Sequence, residues 1–249
     1  MKRRSTYKMF GHILEQVDHH PYLGVELSRG LNWGPHIDSV VPKAQRSLNF
    51  LRRNLSGCSS DTKANAYKSL VRPILEYGAA AWDPHLSTQI NKIESVQRRA
   101  ARFVTGTPLG DRDTSVTKLI DGLGWRTLQE RRLVTRLTML YRAVHHQTAC
   151  YIPDYFHPMS SGTRASHEQQ YSSPQVRVDA YKYSFFPRTI RVWNLLPAGA
   201  VVSPSAGAFR VAVQELFLSG SLYVVPPKGI FQRPRLGSTG IVSAVGPVY

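Results

Sequence analysis

The stretch from Trp33 to Gly106 constrains this chain most, because three consecutive segments within it carry apolar residues at helical spacing. In the first, Ile37, Val40, Val41, Ala44, Leu48, Leu51 and Leu55 recur three or four residues apart, which puts them on one stripe of a helix. At about 100° per residue, Lys43, Arg46 and Arg53 fall on the opposite side, with Phe50 among them. The third segment repeats this design. Leu86, Ile90, Ile93, Val96, Ala100, Phe103 and Val104 form its stripe, and Lys92, Arg98, Arg99 and Arg102 sit across from it. Between them, Asp61 to Trp82 carries Tyr67, Leu70, Val71, Ile74, Gly78 and Ala81 on one side. Each stripe needs a partner and the connections are short, so the pattern predicts a three-helix unit with a strongly positive exterior.

Local signals mark its breaks. Pro42 removes a backbone donor, so the first helix is expected to start near Val41 or to kink there. Pro73 predicts a kink in the second, Gly78-Ala79-Ala80-Ala81 offers a small-residue face, and Asp83-Pro84 stops it. Ser87 or Thr88 can cap the third helix, and Gly106 can end it in a left-handed conformation. Gln97 lies inside an apolar stripe, which points to a satisfied buried amide.

The flanking regions are more mixed. Near the N-terminus, Tyr22-Leu23-Gly24-Val25-Glu26-Leu27 reads as a strand whose glycine marks a bulge or a close approach. Beyond Gly106, Val116, Leu119, Ile120 and Leu123 suggest a brief helix, followed by Trp125. Thr127-Leu128-Gln129-Glu130 is a capping box that opens a helix to about His145. That helix holds Leu133, Val134, Leu137, Leu140, Tyr141 and Val144 inside, with Arg131, Arg132, Arg136 and Arg142 on its other faces. Residues 157–176 are rich in Ser, Gln and turn formers and read as a mobile loop. Ser184 to Pro197 is aromatic and compact, so it is expected to dock on the helices, and Ser205 to Leu218 fits a final short helix. Residues 219–249 mix Gly, Pro and Ser with isolated apolar residues and are expected to be disordered. The fold class is thus mainly α. A short N-terminal β element (1–33) precedes the three-helix bundle (34–106), a helical extension (107–198) and a short helix with its tail (199–249).

The 249 residues carry a net charge of +16, with twice as many Lys and Arg as Asp and Glu. A charge that large favours a polyanionic partner. The two cysteines, Cys58 and Cys150, exclude a disulfide framework or a Cys-rich zinc module. The opening MKRRSTYKMF lacks the apolar run of a signal peptide, and no stretch approaches a membrane span. The expected setting is intracellular, nucleus or cytoplasm, with no membrane partner.

No phosphate-cradling GxxxxGK(S/T), HExxH or GxSxG motif is present, and no adjacent carboxylate pair. His19-His20 and His145-His146 are adjacent pairs without a completing carboxylate or Cys cluster, so no metal site is expected. Nothing reads as catalytic. Basic residues gathered on one helix side can neutralise phosphates, and an aromatic among them can stack on a base. Lys43, Arg46, Phe50, Arg53, Lys92, Arg98, Arg99 and Arg102 are therefore the candidate nucleic-acid contacts. The alternative is a solvated face, but the same face recurs on successive helices with few acids between.

The order Tyr22-Leu23-Gly24-Val25, Trp33, His36-Ile37, Leu70-Val71-Arg72-Pro73-Ile74-Leu75-Glu76-Tyr77 and Trp82-Asp83-Pro84 is distinctive. It continues with Ile93-Glu94-Ser95-Val96-Gln97-Arg98-Arg99-Ala100-Ala101-Arg102-Phe103, Arg131-Arg132, and Phe186-Pro187-Arg188-Thr189-Ile190 before Trp193-Asn194. Over residues 7–218 this resembles the C-terminal part of the reverse transcriptase polyprotein of jockey-like non-LTR retrotransposons. The resemblance implies that Tyr22, Leu23, Gly24 and Val25 belong to the hairpin ending the polymerase palm, near the primer terminus. The three-helix unit would be the thumb, gripping the template–primer duplex. The family's metal-binding carboxylates, in an F/Y-x-D-D turn and an earlier strand, are absent here, as is its endonuclease domain. The expectation is a truncated fragment that binds RNA or DNA through duplex backbone, with other parts of the element's product as possible partners. It would need no cofactor, magnesium being expected only for the intact polymerase. The alternatives are a stand-alone nucleic-acid-binding protein derived from the element and a protein-interaction module.

Overall fold

A computed structural model describes residues 7–108, 111, 113–159, 167–172, 175, 177–224 and 242–244. The fold is mainly helical, with short strands at its ends. At the N-terminal end, β1 (Lys8–Met9) pairs with β2 (His12–Ile13), and β3 (His19–Tyr22) pairs antiparallel with β4 (Val25–Ser28). Leu23 and Gly24 make the two-residue turn of the second hairpin, with φ of 47° and 78°. Positive φ at both positions is the type I′ geometry whose twist matches paired strands. Tyr22 to Leu27 is therefore not one continuous strand, and Gly24 marks a turn rather than a bulge. The close approach is present, since a Cβ on Gly24 would lie 3.1 Å from Tyr77 Cε1. Tyr77 Oη donates to Leu23 O at 3.1 Å, Glu26 N donates to His36 Nδ1 at 3.2 Å, and Val25 is buried. These contacts seat the hairpin on the helices.

The helix α1 (Gly34–Asn54) starts with Pro35 in its first turn and runs on through Pro42. The expected start near Val41 does not occur. Pro42 and Asp38, whose carbonyl loses its partner, both lie on the exposed side, where water can replace the bond. Pro73 acts more strongly. The chain forms α2 (Ser60–Ala66), then a π-turn (Tyr67–Val71), then α3 (Arg72–Glu76) with Pro73 in its first turn. An i→i+5 turn takes up one more residue than an α-turn, so the buried register advances by one. Ala64, Tyr67, Val71, Leu75, Ala79 and Trp82 are buried, whereas Leu70, Gly78 and Ala81 of the expected stripe are exposed and Ile74 is half-buried. Gly78 adopts φ 64° ahead of α4 (Ala79–Trp82), and a Cβ there would press Val25 Cγ2 at 3.2 Å.

α5 (Ser87–Thr105) ends at Gly106 in the left-handed conformation, as the glycine requires. Its N-cap is Leu86, with no side-chain capping bond, so neither Ser87 nor Thr88 serves as the cap. Leu86 itself is exposed and Phe103 half-buried, which narrows the expected stripe. α5 runs in the same direction as α1. Lys92 Nζ meets Asp38 Oδ1 at 2.8 Å near the two starts, and Ser60 Oγ donates to Val104 O at 2.9 Å near the two ends. Inside, Gln97 accepts from Tyr67 Oη at 3.2 Å and donates to Arg126 O at 2.8 Å, so its amide is satisfied.

α6 (Val116–Gly122) and Trp125, which stacks on Tyr67 at 4.7 Å, complete this first apolar cluster beyond the boundary expected at residue 106. α7 (Leu128–Val144) opens with Thr127 Oγ1 accepting from Glu130 N at 3.1 Å. Leu128 belongs to the first cluster, while Leu133, Val134, Leu137, Leu140 and Tyr141 belong to a second. That second cluster is closed by α9 (Phe185–Trp193), α10 (Ala198–Val201), α11 (Ala206–Leu218) and Leu222 of β5 (Leu222–Val224), with the short α8 (Asp179–Lys182) ahead of α9. β5 pairs in parallel with β6 (Val242–Ala244). Of the tail expected to be disordered, 225–241 and 245–249 lie outside the described residues. In the loop, 160–166, 173–174 and 176 also lie outside them. Its segment 167–172 is docked: Trp193 Nε1 donates to Gln169 O at 2.7 Å, and Asn194 Nδ2 donates to Tyr171 O at 2.8 Å.

α7 departs most from expectation. Arg132 and Arg136 point inward and are buried, and only Arg142 of the four arginines is fully exposed. They converge with Arg188 of α9 on Asp83, which is buried between α4 and α5. Arg132 Nε donates to Oδ1 at 2.7 Å, while Arg136 Nε and Arg188 Nη1 lie 3.0 and 3.4 Å from Oδ2. A periodicity of apolar residues counts every arginine as an outer position and cannot register a distant counter-charge. Burial alone would raise the Asp83 carboxyl, but the guanidiniums of Arg188, Arg136 and Arg132 hold it below its usual value. A carboxylate so depressed stabilises the fold above its unfolded pKa of about 3.9, and that stabilisation is lost as pH falls through the folded value. Asp83→Asn is expected to cost about 3–5 kcal/mol near neutral pH, because it leaves buried guanidiniums without their anion. In urea unfolding the penalty should begin to narrow below about pH 4, where the unfolded carboxyl takes up a proton, and close only as pH falls through the lower folded value. A penalty of equal size at both pH values would overturn this assignment.

Candidate nucleic-acid interface

The candidate contacts lie on α1 and α5, which pack side by side. On α1 the buried residues Ile37, Val41, Ala44, Leu48 and Leu51 face the core. Lys43, Arg46, Phe50 and Arg53 lie opposite within an arc of about 80°. All four are exposed, and Phe50 is 56% accessible despite its apolar ring. Lys43, Arg46 and Arg53 make no ion pair or side-chain hydrogen bond among the described residues. They are free to meet an external anion.

α5 is more heterogeneous. Arg99 is exposed and equally free among the described residues. Lys92 is exposed but pairs with Asp38 at 2.8 Å across the outer seam between the helices. Such an exposed pair is worth little and exchanges readily for a phosphate. Arg102 Nη1 donates to Pro108 O at 2.9 Å, which ties it to the loop after the helix. Arg98 sits at the edge of the buried face beside Glu94, with Nη2 on Asn91 O at 3.4 Å. Burial lowers its guanidinium pKa while Glu94 raises it. The eight residues thus divide. Lys43, Arg46, Arg53 and Arg99 form the open set with Phe50, Lys92 is loosely held, and Arg98 and Arg102 serve the fold as well.

Tyr22, Leu23, Gly24 and Val25 are brought to the other end of α3, against Tyr77 and Gly78. Tyr22 and Leu23 are exposed at the hairpin tip, whereas Val25 is buried. The arginines missed by sequence reasoning are Arg132, Arg136 and Arg188. Their signal was weak but present: Arg132 and Arg136 are one helical turn apart and flanked by residues of the apolar stripe. No helix among the described residues is long and apolar enough to cross a membrane.

Neither a family model nor a solved structure matches the sequence. Curated relatives do. The chain is 31% identical over 140 residues, 55% of its own length, to a probable RNA-directed DNA polymerase from transposon BS of Drosophila melanogaster, of which 15% is covered. It is 28% identical over 122 residues to the RNA-directed DNA polymerase from mobile element jockey of the same fly, covering 45% of this chain and 13% of the relative. The jockey protein of Drosophila funebris is 31% identical over 101 residues, 39% of this chain and 11% of the relative. The matches span well under a fifth of each relative's length. The chain is thus similar to a small part of the RNA-directed DNA polymerases of jockey-like non-LTR transposons.

Proposed function

We propose that this chain is a nucleic-acid-binding region of a non-LTR retrotransposon RNA-directed DNA polymerase, which holds duplex backbone on α1 and α5 in the manner of a polymerase thumb. The observation that carries this reading is the set of free exposed cations, Lys43, Arg46, Arg53 and Arg99, on two adjacent parallel helices. Backbone contacts position a duplex without reading its sequence, so preference among sequences is slight. On this reading the hairpin from Tyr22 to Val25 lies toward the primer terminus, and the protein works in the nucleus or cytoplasm beside other parts of the element's product.

The chain does not polymerise by itself on this reading. Polymerases of this type place magnesium ions on clustered carboxylates. The residues here do not fit such ions: among the described residues no group of three or more His, Cys, Asp or Glu could hold a metal. Two of the buried carboxylates are otherwise committed, Asp83 to three arginines and Glu94 Oε1 to Gln129 N at 2.8 Å. A second reading, a protein-docking module, is favoured by exposed apolar side chains along the two N-terminal hairpins, including Phe10 at 93% and Leu23 at 75% accessible.

Replacing Arg46 and Arg99 together by Ala is expected to weaken duplex binding similarly for all sequences. Each lost phosphate contact should flatten the plot of log affinity against log salt by about one unit, or about two in all. Fluorescence anisotropy over a salt series measures this, and circular dichroism checks helicity. Unchanged affinity and slope with intact helices would show a merely solvated face and favour the docking module. Primer extension on an RNA template with magnesium or manganese should stay at the no-protein level. Clear incorporation would refute the absence of polymerase activity.

A further inference from the structure

The cluster around Asp83 holds more positive charge than the fold consumes. Three guanidiniums meet one carboxylate. Arg188 spends Nη1 and Nη2 on the carbonyls of Asp83 and Pro84, at 2.6 and 3.2 Å. Arg132 has its Nε on Asp83, but its Nη1 and Nη2 are buried without a partner among the described residues. Arg136 is less well served still. Its side chain is 5% exposed, its Nε lies near Asp83 Oδ2 without hydrogen-bond alignment, and its Nη1 has no partner among the described residues. Of the other acids nearby, Glu94 is buried and engaged with Gln129 N, and Asp179 acts on His85 of the cavity wall. Buried cations in this excess are costly unless an anion reaches them. Burial and the nearby Arg188 and Arg132 all push the Arg136 guanidinium toward its neutral form, against the single opposing charge of Asp83.

Arg136, Arg188 and Asp83 line a cavity of about 150 Å³, walled also by Trp33, His85, Tyr183 and Phe185. By the same measure a water needs only about 10–15 Å³, so an ion of several heavy atoms fits. The start of α9 opens into this space, since Ser184 and Phe185 line it. Ser184 does not cap its helix. Its hydroxyl donates to Tyr181 O at 2.7 Å, and the first-turn N–H groups of Phe185 and Phe186 have no side-chain cap. Those amides and the helix dipole favour negative charge at the same place as the incompletely bonded Arg136.

We infer that this cavity is an anion site for a phosphate group, bound by the guanidinium of Arg136 and the first turn of α9 beside the positive charge of Arg188. The chemistry is that of a tetrahedral oxyanion, whether free phosphate or the terminal phosphate of a nucleic-acid strand. It is separate from the α1–α5 face, and neither depends on the other.

The test uses the full chain and inorganic phosphate. The Nε–Hε resonance of Arg136, assigned in a nitrogen-15-labelled protein, should shift saturably with phosphate and not with chloride at matched ionic strength. The unfolding temperature should rise along the same binding curve. Arg188→Gln should weaken phosphate affinity about tenfold or more, because it removes the positive charge beside the site. The Arg46→Ala, Arg99→Ala double variant should leave it unchanged, so a failed duplex-binding reading and a failed phosphate site are told apart. Competition by an oligonucleotide bearing a 5′-phosphate but not by its 5′-hydroxyl form assigns the strand end as the source, and no competition by either assigns free phosphate. A wild-type Arg136 resonance that stays still, or drifts equally with chloride, overturns the site even if the Arg188 variant fails to fold.

Discussion

The burial of Asp83 among three guanidiniums governs how the two halves of this protein meet. Its carboxylate lies between α4 and α5, in the first apolar cluster, while its partners come from α7 and α9 of the second. Pulling the halves apart would leave either a carboxylate without cations or cations without a carboxylate in a low-dielectric interior, and each is costly. The hydrophobic clusters supply cohesion, but they are not directional. The ion cluster fixes which face of α7 meets α4, and the bidentate contact of Arg131 with Glu76 repeats that constraint from α3, with Nη2 to Oε2 at 2.9 Å.

Placement of Asp83 depends in turn on the hairpin. Gly78 is left-handed, a conformation a side chain would strain, and a Cβ there would also press on Val25. That turn starts α4 and sets Trp82, whose Nε1 donates to Tyr77 O at 2.6 Å. Tyr77 closes the loop by holding Leu23 O. A chain of contacts therefore runs from the β3–β4 turn through Tyr77, Gly78 and Trp82 to the buried carboxylate. The hairpin, whose own four-residue strands could not stand alone, is stabilised by this packing and in return sets the geometry behind it.

α7 turns two of its arginines inward, while Lys43, Arg46, Arg53 and Arg99 stay exposed on α1 and α5. This was legible in part. The α1 face could be read directly, since its stripe and its cations obey one period and Pro42 falls on the wet side. On α5 the period found the buried side but not the fates of Arg98 and Arg102, which are decided by Glu94 and by the loop at Pro108. The second segment could not be phased. The extra residue of the π-turn moves burial from Leu70 to Val71 and from Ile74 to Leu75, and a fixed 3.6-residue period has no means to insert it.

The sequence by itself determined the helical class, the helices α1, α5 and α7, the glycine stop at Gly106, the cap at Thr127 and the open cations of α1. These depend on neighbours within a few residues, where apolar spacing and backbone conformation act directly. Only the tertiary structure decided that Arg132 and Arg136 lie inside, that Gly24 forms a turn against Tyr77, and that a cavity lies beside Asp83. Asp83 is 49 residues from Arg132 in sequence. A guanidinium can be buried only where a distant carboxylate is delivered to it, and no local pattern encodes that meeting.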